Sequence, residues 1–180
     1  MIKEKCAGES VLEIGCGWGW DTKVLTDAGL SVIGIDMAEK YLEQARILVP
    51  NATFLHQDMQ QEFPGENKYN VIIASLSMHY MPWENTLKMI SRVKEKLTDD
   101  GLFLFRVNSV RDVNHGAIGN PEIDTNYFLV DGKPKIFFDE ATVRDLFDCS
   151  WNIISIEEHT IERFEKPKVI WEVIARNGKW

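Results

Sequence analysis

Three carboxylates and a run of glycines stand where chemistry could be done. Glu13, Gly15, Gly17 and Gly19 follow one another as E-x-G-x-G-x-G, between the apolar run Val11, Leu12, Ile14 and a helical pattern through Val24, Leu25 and Ala28 that ends at Gly29. The reading is a strand, a glycine turn and a helix. A side chain at these glycines would hold a ligand off the backbone or push the turn out of positive φ. A flat, polar ligand is therefore expected over the turn. The spacing is neither the dinucleotide G-x-G-x-x-G nor a phosphate loop, which needs Lys followed by Ser or Thr. A Glu13 carboxylate aimed into the turn would repel a pyrophosphate and favour an amine or a cationic group. Asp36 closes the apolar run Ser31–Asp36 at the place where folds of this kind recognise ribose hydroxyls, about 20 residues past the turn. As structure alone it could cap the next helix.

The stretch Glu13-Ile-Gly-Cys-Gly-Trp-Gly19 resembles the first motif of class I S-adenosylmethionine-dependent methyltransferases. The resemblance implies a cofactor made of a nucleoside and an amino acid joined through a cationic sulfonium, with no phosphate. It implies Glu13, Gly15, Cys16, Gly17 and Trp18 around that cofactor and Asp36 on the ribose. Asp58 would accept from the adenine amine, Met59 would offer its backbone N–H and apolar side chain, Met37 would close the other face, and Ser75 would end the fourth strand beside them. Relatives usually carry a segment before the first strand. Here Met1 to Glu9 is short, so either the pocket is more open or that segment lies outside this chain. The stretches Ser75 to Trp83 (S-L-S-M-H-Y-x-x-W), Arg106 to Ser109 and Trp171 to Val173 resemble small bacterial methyltransferases of the tellurite-resistance type. The likeness runs from Ser10 to Arg176.

The elements that must position these residues can be read in order. After the strand ending at Asp36, a helix opens at Met37 and Ala38 and stops at Pro50. A third strand, Thr53 to Gln57, delivers Asp58 and Met59. Pro64 and Gly65 precede a buried strand of the parallel kind, Tyr69 to Ser75. Its loop should face the transferable methyl, which makes His79, Tyr80 and Trp83 candidates there, with His79 the nearest general base if one is needed. A helix from Trp83 to Leu97 leaves through Asp99-Asp100-Gly101. The strand Gly101 to Phe105 then brings Arg106 to the same edge, where it could pair with an anionic acceptor or with a fixed carboxylate such as Asp112. The irregular stretch 110–135 reads as a substrate flap, with a short hairpin of its own. Asp139 is an expected N-cap. The last strands, Trp151 to Ile156 and Val169 to Ala175, are joined by a charged connection holding His159, Arg163 and Lys166. The implied fold is α/β and Rossmann-like, a mostly parallel seven-stranded sheet with an antiparallel last strand and helices on both faces.

A chain of 180 residues suits one domain, 1–180. The net charge of −8, with no basic run, argues against nucleic acid as a partner. No stretch reads as a membrane span or signal core, so a cytoplasmic protein is expected, monomer or homodimer, with a small-molecule substrate. Cys6, Cys16 and Cys149 are far apart and expected as reduced thiols; no metal site is expected. The expected activity is methyl transfer from S-adenosyl-L-methionine to a small acceptor that is anionic, a thiol or a metalloid oxyanion. The alternatives are an NAD-dependent oxidoreductase of Rossmann type and a non-catalytic partner subunit that binds the cofactor.

Overall fold

Side-chain alternation along the first strand already sets the architecture, because successive residues of a strand face opposite sides of a sheet. The computed structural model describes residues 10–178. In it, β1 (Ser10–Ile14) is central and pairs in parallel with β2 (Ser31–Asp36) and β4 (Tyr69–Ser75). Leu12 and Ile14 pack into one core with Ile72, Phe103 and Phe105 and with Met89, Ile90 and Val93 of α3 (Trp83–Lys96). Val11 points the other way, into a core with Val32, Ile73 and Leu25 of α1 (Trp20–Asp27). α2 (Glu39–Leu48) buries Leu42 and Ala45 against Phe54 of β3 (Thr53–His56). Apolar surface on both sheet faces thus draws a helix layer onto each.

The seven strands run β3-β2-β1-β4-β5-β10-β9, with β5 at Leu97–Asn108, β9 at Trp151–Ile161 and β10 at Lys168–Asn177. β10 lies antiparallel to both neighbours and the other pairs are parallel, as the resemblance implied. The carboxyl ends of β1 to β5 therefore share one edge, where ligands of such sheets bind.

Boundaries differ from the sequence reading in three places. The exit turn at Asp99 to Gly101 survives only as an irregularity inside β5: Tyr69 pairs with Leu97 and Val71 with Leu102, and Asp100 takes φ 64°. β9 runs on to Ile161, so His159 sits in a paired strand and not in the connection. As an edge strand β9 tolerates charges along its length, and Glu157, Glu158 and His159 hide its period. Within 110–135, and extending to Ile136, lies more than a hairpin: β6 (Glu122–Asp124), β7 (Tyr127–Val130) and β8 (Lys133–Ile136) form an antiparallel sheet. Asp131 and Gly132 turn β7 into β8 with φ 51° and 73°, the positive pair that suits a two-residue hairpin turn.

α4 (Glu140–Asp145) starts where expected. Asp139 Oδ1 accepts from Thr142 N at 2.8 Å, and Thr142 Oγ1 accepts from Asp139 N at 3.0 Å. Among the described residues no helix is long and apolar enough to cross a membrane, and no group of three or more His, Cys, Asp or Glu could hold a metal ion. Cys16 and Cys149 are free thiols, and Cys6 lies outside the described residues.

Candidate functional site

The glycine turn is pinned to the next strand by its own backbone. Gly15 N and Cys16 N both donate to Ile35 O, at 2.8 and 3.1 Å, and Gly19 N donates back to Cys16 O at 2.9 Å. Gly15 has φ 73° and Gly17 has φ 51°. The two are glycine for different reasons. A Cβ on Gly15 would sit 2.3 Å from Ser77 Cβ, whereas one on Gly17 would meet nothing within 4 Å. The first keeps the turn packed under the loop after β4, and the second leaves space above the turn open.

That space is the mouth of a cavity of about 710 Å³ formed by the carboxyl ends of β1, β2, β3 and β4. Gly15, Gly17, Trp18, Asp36, Met37, Asp58 and Met59 all line it. Asp36 is fixed at both oxygens: Oδ2 accepts from Gly17 N and Oδ1 from Ala38 N, each at 2.8 Å. It does not cap α2, whose N-cap is Ala38. Asp58 Oδ1 accepts from Gln60 N at 2.8 Å, and Asp58 lines the cavity. Arg92 of α3 holds this loop by donating to Met59 O at 3.3 Å and Gln60 O at 3.0 Å.

Several lining residues carried no signal in the sequence. Tyr41, in the first turn of α2, lies against Trp18 with ring centroids 5.2 Å apart. Leu76, Ser77 and Met81 come from the loop after β4, and Lys133 and Pro134 reach the cavity from the small sheet. Only folding brings these last two to the site. Tyr80 also lines it, half-exposed, with Lys135 Nζ 5.6 Å from its ring centre.

The structure places several of the expected residues elsewhere. Glu13 is 2% exposed and turned to the α1 side of the sheet, where its Oε2 accepts from the Thr22 hydroxyl; it does not line the cavity. Burial raises its pKa to about 8. Cys16 packs with Leu42, Ala45 and Phe54, and burial pushes its thiol far up, so it is neither a lining group nor a thiolate. Ser75 lines a second cavity, while Ser77 lines the first and donates to Ile14 O at 2.6 Å. His79 is 4% exposed beneath Tyr80 and off the cavity, with a pKa lowered to about 3 by burial and then by Lys168 and Lys135. A base that must stay neutral and cannot reach the cavity is not a proton acceptor for it. Arg106 also lies off this cavity. Its Nε donates to Glu172 Oε2 at 2.7 Å, across the β5–β10 register that pairs the two residues. Asp112 instead lies 3.7 Å from Lys168 Nζ. Trp83 packs on the core at the start of α3.

The second cavity, about 270 Å³, lies at the ends of β4, β5, β9 and β10 and is lined by Ser75, Arg106, His159, Arg163 and Glu172 among others. Leu76 borders both cavities.

Residues 11–101 match the family described as a methyltransferase domain. Among curated proteins, an uncharacterized methyltransferase of Synechocystis is 34% identical over 97 residues, covering 53% of this chain and 45% of that protein. The matches to curated relatives thus span less than half of those relatives' length. Among solved structures, a methyltransferase of Methanosarcina mazei superposes with TM-score 0.82 at 16% identity, covering 97% of this chain and 94% of that one. TehB of Haemophilus influenzae superposes with TM-score 0.73 at 17% identity, covering 95% and 58%. At these identities the superpositions show the fold.

Proposed function

The chain belongs to the methyltransferase-domain family, whose methyl donor is S-adenosyl-L-methionine, and from that premise we propose that it transfers a methyl group from this donor to a small-molecule acceptor. The observation that carries the proposal is the single cavity to which β1, β2 and β3 each deliver one anchor: the open face of Gly17, the doubly held Asp36 carboxylate and Asp58. Asp36 accepts from the ribose hydroxyls, Asp58 from the adenine amine, and Met37, Met59, Trp18 and Tyr41 cover the apolar faces. When bound, the donor supplies an electrophilic methyl on a sulfonium. The protein's part is to hold the nucleophile near that carbon and keep water away. Residues 110–135 act as the substrate flap of a single domain, which the reach of Lys133 and Pro134 into the cavity supports.

The acceptor is a small nucleophile that is anionic, a thiol or a metalloid oxyanion; a thiolate or an oxyanion would need no base from the protein, and His79 lies off the donor cavity. The net charge of −8 supports a small molecule over nucleic acid. Calorimetry with S-adenosylhomocysteine, followed by turnover of S-adenosylmethionine on thiols, metalloid oxyanions and amines, tests this reading. Binding with turnover of a thiol or oxyanion is expected. No binding defeats the proposal, and binding without turnover across the panel favours the partner-subunit alternative.

A further inference from the structure

The second cavity holds an arginine that is tethered but not used up. Arg106 spends Nε on Glu172 Oε2, and among the described residues its two terminal nitrogens have no hydrogen-bond partner. The bond to Nε leaves the outer fork of the guanidinium free, and that fork matches the two oxygens of a carboxylate or oxyanion. Glu172 sits 22% exposed, with His159 Nε2 3.9 Å from its other oxygen, so the pair is partly shielded from water. Arg163, which also lines the cavity, is held differently: its Nη1 donates to Asp21 at 2.9 and 3.2 Å, so its outer fork is partly used. Glu162 lines the cavity too, so the charges there balance. Selection would come from the directed donors and not from a positive field.

Two further features bear on this place. Leu76, the residue between the cavities, has φ 56°, a left-handed conformation that is strained for a branched side chain. It is held there by donating to Arg106 O at 2.9 Å, so one residue of β5 both anchors the partition and lines the second cavity. Asn108, two residues along β5 and hence on the same face as Arg106, is 1% exposed with both amide atoms unpartnered. It is the cross-strand partner of Ile170, which lines the cavity.

We propose that this cavity is the site for a carboxylate or oxyanion group of the methyl acceptor, bound at the free fork of Arg106 while Glu172 holds the guanidinium in place. The inference rests on the methyl-transfer reading, since it makes the cavity across Leu76 from the donor the acceptor's side. Glu172 is a positioning residue, and Arg106 touches the ligand.

The test is an NMR titration of the arginine Nε–H signals in the full chain at constant ionic strength, with sodium acetate, inorganic phosphate and neutral acetamide as probes. Acetate or phosphate should shift the Arg106 signal saturably, acetamide should not, and which anion acts tells a planar from a tetrahedral group. Glu172→Asp, which keeps the charge but shortens its reach to Nε, should weaken the anion roughly tenfold while leaving S-adenosylhomocysteine affinity unchanged. Arg106→Lys should abolish the saturable shifts of neighbouring backbone signals; the wild-type titration carries the test if that variant does not fold. An Arg106 signal unmoved by both anions, or moved equally by acetamide, overturns the site. Unaltered anion affinity in Glu172→Asp overturns the positioning role. S-adenosylhomocysteine is titrated into the same samples. Anion binding without it would sink the donor reading alone, and its binding without an anion response would sink this site alone.

Discussion

Asp36 Oδ2 accepts the backbone N–H of Gly17 at 2.8 Å, so the carboxylate that ends β2 and the turn that follows β1 are one unit. Ala38 N fixes the second oxygen at the same distance. A ligand meets a carboxylate already oriented and a turn already closed, with little ordering left to do. Asp36→Ala should therefore weaken S-adenosylhomocysteine by about 1 to 3 kcal/mol, the scale for hydrogen bonds to a charged group. Calorimetry beside a melting curve measures it. Unchanged affinity in a folded variant would remove Asp36 from the site.

The two glycines of the turn should fail differently. Gly15→Ala drives a Cβ to 2.3 Å from Ser77, so its melting temperature should drop. Gly17→Val meets open space, so the sheet should survive, with the strain of φ 51° as the main cost, while binding of S-adenosylhomocysteine is lost. Circular dichroism and calorimetry on both variants separate the outcomes. A Gly17→Val protein that binds normally would show that the cavity above the turn is not the donor site.

Glu13 predicts a pH dependence of stability. Its pKa is raised to about 8 in the fold from an ordinary 4.5, because burial disfavours the charged form. Between these values the native state holds a proton that the unfolded chain has lost. Stability from this group is thus complete below about pH 4.5 and is lost as pH rises towards 8. Glu13→Gln cannot ionise, so the wild-type melting temperature should fall relative to the variant over that window. Parallel curves from pH 5 to 9 would show that Glu13 is ionised in the fold.

His79 has the opposite sign. Its pKa is depressed to about 3, so the folded state refuses a proton that the unfolded chain accepts below about 6.5. Stability should fall as pH drops from 6.5, and less so in His79→Gln. The shape of the pH profile of turnover between 5.5 and 8.5 should be the same in both proteins. Loss of a limb near neutrality in the variant would return His79 to the reaction.

How far the chain could be read in advance depended on how local each signal was. The glycine turn, the carboxylates ending β2 and following β3, and the Asp139 cap all arise within a few residues of sequence, while the Rossmann-like sheet was implied by the family resemblance. Backbone sterics, strand period and capping act over that range, and spacing reports them. The direction of a side chain at a strand end does not. Glu13 and Cys16 sit inside the motif, yet the twist of β1 into its turn sends one towards Thr22 and the other against Phe54, while their backbone shapes the cavity. Ser75 and Ser77 lie two residues apart, and the left-handed Leu76 between them sends them to different cavities. Arg106 acquires Glu172 only when β10 inserts beside β5, 66 residues away in the chain. Lys133 and Pro134 enter the site only because the small sheet folds back over the loop after β4. Register between distant strands and the packing of one layer on another are set by the sum of many weak contacts. No single residue carries that information, so only the tertiary structure decides it.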